Sequence, residues 1–230
     1  MLSFRTYEIV AQGDEGEMLS STVEIVTKPI LVCGPFGSGT TAVAGLLAGL
    51  GLPGIEPYFH SNDERTPNTF ESIEFRKTAL RIVSEITLSF NPGVEREAEI
   101  KRLHGKVVAF GHSTIFLKHP LAAMLIPDLC KTFDARMVYV LRPLADIEAT
   151  RKRRNWLAST GSSGAQVIYG HMFGTLINHS FPTMIMRYSE VLADPANAAT
   201  RLAGFAGLDV QAHRIKQAAG FIRSPAQIPC

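Results

Sequence analysis

The chain alternates short, wholly apolar runs with longer segments in which apolar residues recur every three or four positions. The run at 29–33 (PILVC) is too short for a helix. It reads as a parallel strand buried on both faces, where no polar alternation is needed. Residues 106–111 (KVVAFG), 136–141 (RMVYVL) and 183–186 read the same way. Residues 4–10 (FRTYEIV) and 22–26 (TVEIV) are short strands that form either an N-terminal hairpin or a loosely attached leader.

Helical spacing fills the intervals. Val43, Leu46, Leu47 and Leu50 share one face, and Gly51 follows as a stop. Further helices are predicted at about 70–89, 94–103, 120–133, 143–154 and 163–179, with two short ones within 195–219. Proline at 143 suits the opening position of its helix. Residues 52–68, rich in Pro, Asn, Asp and Gly, read as a long loop of the kind that serves as a functional lid or a substrate loop. Strands separated by helices predict an α/β fold, a central and mainly parallel sheet flanked by helices in a P-loop-like three-layer sandwich. The expected division is 1–28 as N-terminal strands or leader and 29–230 as the α/β domain.

Composition narrows the chemistry. With 230 residues, 46% hydrophobic and 19% charged, the chain is an ordinary globular one. Its net charge of +2 excludes nucleic-acid binding through bulk charge, so any anion site must be local. Cys33, Cys130 and Cys230 have neither disulfide-framework nor metal-ligand spacing, and no apolar run reaches the ~18 residues of a membrane span. A cytoplasmic setting with no metal site is expected.

Gly34-Pro-Phe-Gly-Ser-Gly-Thr-Thr41 follows a strand and opens a helix, the context a phosphate loop requires. Its glycines let successive N–H groups face one concavity, and the helix N-terminus adds partial positive charge. Thr40 stands where a nucleotide triphosphatase has lysine. Two of the four predicted strand ends carry Arg142 and Arg187 where a magnesium-holding carboxylate would stand. Five basic residues between 142 and 154 outweigh Asp146 and Glu148, a local +3. Arg151–Arg154 also suit a solvated helix C-terminus. Arg142, at a buried strand end, needs a partner.

These residues resemble the soluble bacterial type of sulfotransferase that uses 3′-phosphoadenosine 5′-phosphosulfate, over about 29–208. The family's 5′-phosphosulfate loop, [KR]-[ST]-G-T-[TS], is matched by Ser38-Gly39-Thr40-Thr41. Its 3′-phosphate motif, a strand ending in Arg with Ser or Thr eight residues on, is matched by Arg142 and Thr150. Tyr188, in Met186-Arg-Tyr-Ser-Glu, matches a residue near the adenine. Asn68-Thr-Phe-Glu71 and Lys118-His119-Pro120 resemble two further segments. The resemblance implies transfer of a sulfuryl group to a hydroxyl or amine of a small-molecule acceptor. Gly37, Ser38, Gly39, Thr40, Thr41, Arg142, Thr150 and Tyr188 would hold the co-substrate.

Gly37 stands where many members carry Lys or Arg, and Lys118 is the candidate replacement cation. Glu71 is the family-matched base, although Asn68 to Glu71 also has capping-box spacing. His112, read as following the second strand, and His119 are further candidates for the base. Competing readings are a P-loop small-molecule or nucleotide kinase lacking its lysine, and a catalytically inactive nucleotide-binding homologue.

Overall fold

The computed structural model describes residues 5–12, 18–25, 27–61 and 68–222. Strands β1 (Arg5–Gln12) and β2 (Met18–Ile25) pair antiparallel, the hairpin alternative of the two expected. Strand β3 (Ile30–Cys33) leads through the glycine loop into helix α1 (Thr40–Gly49). Strands β4 (Tyr58–His60) and β5 (Asn68–Ser72) pair antiparallel inside and beyond the segment expected to be a structureless loop. Residues 62–67 of that segment lie outside the described residues.

Helix α2 (Ile73–Ile82) begins and ends inside the predicted 70–89 helix. Its start is set by Ser72, whose Oγ accepts from the Phe75 N–H. Past Ile82 the chain turns back, with Leu88 left-handed and Val83 bridged to Phe90.

Helix α3 (Arg96–Phe110) corrects the largest misreading. The apolar run at 106–111 is the last turn of this helix, not a strand. Ile100, Leu103 and Val107 recur at helical spacing and are buried on one face, and Gly111, at φ 78, ends the helix. The strand expected there is instead β6 (Phe116–Lys118), beside β3.

A 3₁₀ turn (Pro120–Met124) and helix α4 (Ile126–Phe133) divide the helix expected at 120–133, with Pro127 in the opening turn of α4. Strand β7 (Arg136–Leu141), helix α5 (Leu144–Arg154), helix α6 (Ser162–Asn178) and strand β8 (Thr183–Arg187) follow as read from the sequence. Helices α7 (Tyr188–Ala193), α8 (Pro195–Ala206) and α9 (Ala212–Ala219) complete the described chain.

The central sheet has the order β6-β3-β7-β8 and is wholly parallel. Its side chains alternate between two cores. Leu31, Cys33, Leu117, Met137 and Tyr139 pack with α2, α3, α4 and α6. Ile30, Val32, Phe116, Val138, Val140 and Met186 pack with α1, α8 and α9. The result is the expected three-layer α/β sandwich, and its loops gather where parallel strands end. Among the described residues no helix is long and apolar enough to cross a membrane.

Candidate functional site at the carboxyl ends of the strands

Every strand of the central sheet runs into a residue of the candidate site. β3 ends at Cys33 and turns through Gly34-Pro-Phe-Gly-Ser-Gly. Gly37 (φ 74) and Gly39 (φ 102) hold left-handed conformations that other residues rarely adopt. Space is restricted as well. A Cβ on Gly39 would collide with the Tyr188 ring, and one on Gly37 would sit 3.3 Å from the Thr150 methyl. The Ser38 N–H donates to the Pro35 carbonyl at 3.0 Å. The Ser38 hydroxyl is fully buried, with no hydrogen-bond partner among the described residues. Helix α1 opens without a side-chain cap, and while the Ala42 and Val43 N–H groups donate to the Gly39 carbonyl, those of Thr40 and Thr41 keep their donor capacity.

β7 ends at Arg142. Its guanidinium donates from Nη1 to the Gly37 carbonyl at 2.8 Å and lies 4.9 Å from the centre of the Tyr188 ring. The backbone of Arg142 is held on both sides by Tyr169. The tyrosine hydroxyl accepts from the Arg142 N–H at 2.8 Å and donates to its carbonyl at 2.9 Å. Thr150 lies two turns along α5, buried, its hydroxyl donating to the Asp146 carbonyl at 2.9 Å. Gly37, Gly39, Arg142, Thr150 and Tyr188 therefore form one contiguous group. β8 delivers Tyr188 directly, since α7 begins at that residue.

β6 ends at Lys118, which replaces His112 as the residue at the second strand's carboxyl end. Lys118 is only 3% exposed. Its Nζ donates to Glu71 Oε1 at 2.6 Å and to Thr41 Oγ1 at 3.2 Å, tying β5 to the first turn of α1. Glu71 is 8% exposed, with its second oxygen 3.6 Å from Arg76 Nε and 3.7 Å from His119 Nε2. Burial, the largest single influence, pushes the Glu71 carboxyl up, but the charge and hydrogen bond of Lys118, together with His119 and Arg76, hold it below the usual range.

His119 is 1% exposed, and its Nδ1 accepts from the Leu121 N–H at 3.2 Å. Nε2 therefore carries the proton of the neutral ring. Burial, with the nearby Lys118 and Arg76 charges, lowers its pKa to about 4 against the opposing pull of Glu71.

His112 is the one expected site residue that the fold places elsewhere. It follows α3 and precedes β6, so it lies at the amino ends of the strands. There Lys28 N–H donates to the Ser113 carbonyl and Ile30 N–H to that of Ile115. The His112 ring is 4.8 Å from that of Phe110, and its carbonyl accepts from Thr27. Misreading the end of α3 as a strand caused the error. Sequence reasoning missed Arg76 and Tyr169. Their contacts are made across the fold, and neither belongs to a local motif.

No family model matches the chain, and no curated protein does. Solved structures do. The sulfotransferase STF9 from Mycobacterium avium superposes with a TM-score of 0.55 at 14% identity, over 85% of this chain and 68% of that one. The sulfotransferase STF1 from Mycobacterium tuberculosis H37Rv gives 0.53 at 15%, over 85% and 71%. The fold is thus sulfotransferase-like.

Proposed function

We propose that this chain is a sulfotransferase that moves a sulfuryl group from 3′-phosphoadenosine 5′-phosphosulfate to a hydroxyl or amine of a small-molecule acceptor. The observation that carries the reading is the convergence of cations and free donors at the sheet's carboxyl edge. Arg142 and Lys118 flank a glycine loop whose buried Ser38 hydroxyl lacks a partner. Two separated cationic places on one loop suit a ligand with two separated anionic groups. Gly37, Arg142 and Thr150 would receive the 3′-phosphate side, with Tyr188 beside the adenine. Ser38, Gly39, Thr40 and Thr41 would cradle the 5′-phosphosulfate through N–H and hydroxyl donors.

In the reaction the acceptor oxygen or nitrogen attacks sulfur. The bond from sulfur to the bridging oxygen breaks, leaving its electron pair on the 5′-phosphate. The acceptor's proton passes to a Glu71 carboxylate oxygen. Lys118 lies within reach of Thr41 in the first turn of α1, so it can meet the charge growing on the leaving phosphate. It would thereby supply the cation that Gly37 does not. A Lys118 drawn toward phosphate no longer holds the Glu71 carboxyl down, so the two roles support each other.

Calorimetric titration with adenosine 3′,5′-bisphosphate and with ATP–Mg²⁺ tests the reading. Bisphosphate binding together with sulfuryl transfer to a panel of hydroxyl and amine acceptors is expected. Tight binding of ATP–Mg²⁺ alone would make the chain a kinase, and bisphosphate binding without transfer an inactive homologue.

A further inference from the structure

Glu71 reaches the site through an irregularity in β5. On β4, Tyr58 pairs with Ser72 and His60 with Asn68. Phe59 alone thus stands opposite Thr69, Phe70 and Glu71. This is a bulge, the device by which a strand re-aims a side chain. In a regular strand neighbours point to opposite faces, yet Phe70, Glu71 and Ser72 are buried in succession.

Phe70 absorbs the distortion. Its φ of 55 is left-handed, which is uncommon for a bulky aromatic residue. Its ring packs into the α1-side core, 5.6 Å from that of Phe221 and 5.7 Å from that of Tyr58. Side chains pin the backbone around it. Asn68 Oδ1 accepts from the Phe70 N–H at 2.8 Å. Thr69 Oγ1 donates to the Phe59 carbonyl at 2.6 Å and accepts from the Glu71 N–H at 3.3 Å. The capping-box spacing of Asn68 and Glu71 thus serves a different end, and the cap of α2 is Ser72.

We propose that Asn68 is a positioning residue, whose side-chain carbonyl holds Phe70 left-handed and so sets the bulge that delivers the Glu71 carboxylate to Lys118. The catalytic meaning rests on Glu71 being the base. The positioning itself does not.

The test compares Asn68→Ala, Asn68→Asp and Glu71→Gln in the full chain. Glu71 titration is followed by carbon-13 NMR, with Glu71→Gln identifying its resonance, and adenosine 3′,5′-bisphosphate affinity by calorimetry. Asn68→Ala is expected to let Glu71 titrate upward toward the ordinary carboxyl range and to lower kcat about tenfold. KM for the sulfuryl donor and bisphosphate affinity should stay within twofold. Asn68→Asp keeps the acceptor and should restore both the titration and kcat. An unmoved Glu71 in Asn68→Ala, or an Asn68→Asp as impaired as Asn68→Ala, overturns the proposal. A Glu71→Gln enzyme with wild-type turnover, beside a shifted titration in Asn68→Ala, removes Glu71 as base and leaves the positioning intact. If Asn68→Ala does not fold, Thr69→Val, which cuts the neighbouring pins, must shift the Glu71 titration in the same direction, and an unmoved titration there overturns the proposal equally.

Discussion

His119 shows how one buried ring couples the site to stability. The folded protein keeps it neutral down to about pH 4, while the unfolded chain binds its proton near the ordinary histidine value. Between those values the unfolded state holds more protons, so this contribution is complete above about pH 6.5 and fades as pH falls toward 4. The shift corresponds to a loss on the order of 3 kcal/mol across that window. Glu71 acts in the adjoining lower range. Its depressed carboxyl contributes above its ordinary value, and the contribution is lost below it. His119→Asn retains an acceptor for the Leu121 N–H but cannot charge. Chemical denaturation at pH 7 and pH 5 should show the variant losing much less stability than the wild type, and parallel losses would contradict the neutral assignment.

Among the elements, β7 and α5 were legible because their signals are local. An apolar run is followed by a proline and a charged helix, and the ends fall within a residue of where the sequence puts them, Pro143 standing just before the helix rather than at its first position. The α3–β6 region was not legible, because Val107 and Val108 favour strands in isolation. They are overridden by a face already defined by Ile100 and Leu103, which packs on the core shared with α2 and α4. The bulge in β5 was equally hidden, since it depends on Phe70 finding aromatic partners from β4, β6 and the chain beyond α9. The start of α2 depends on a single cap. Ser72→Ala should cost about 0.5–1 kcal/mol in urea unfolding. A change well above that would show that Ser72 also supports the bulge.

At the scale of the molecule, the convergence of the glycine loop and Arg142 was readable from two motifs. The parallel sheet brings Ser38-Gly39-Thr40-Thr41 and Arg142 to neighbouring strand ends, since β3 and β7 are adjacent. The Glu71–Lys118 pairing needed the true β6, which the sequence reading put in the wrong place. Arg142→Ala should weaken adenosine 3′,5′-bisphosphate by about 2 kcal/mol or more, the scale of a lost charge-assisted contact. Thermal melting reports the same event. Bisphosphate at about 100 times its Kd adds roughly 2.7 kcal/mol, or about 5–10 °C for a chain of this size, and the variant at the same concentration should lose most of that rise. An unchanged rise would remove Arg142 from the site.

The close approach of Gly37 to Thr150 bears on how this loop can evolve. A lysine at 37 would have to tolerate φ 74, and its Cβ would press on the Thr150 methyl at 3.3 Å. Thr150→Ser deletes that methyl and keeps the hydroxyl. The two positions are far apart in the chain yet share one contact, so substitutions at them are expected to be non-additive. A lysine introduced at 37 should therefore cost less stability beside Thr150→Ser than beside threonine, and an equal cost in the two backgrounds would show that the methyl is not the obstacle.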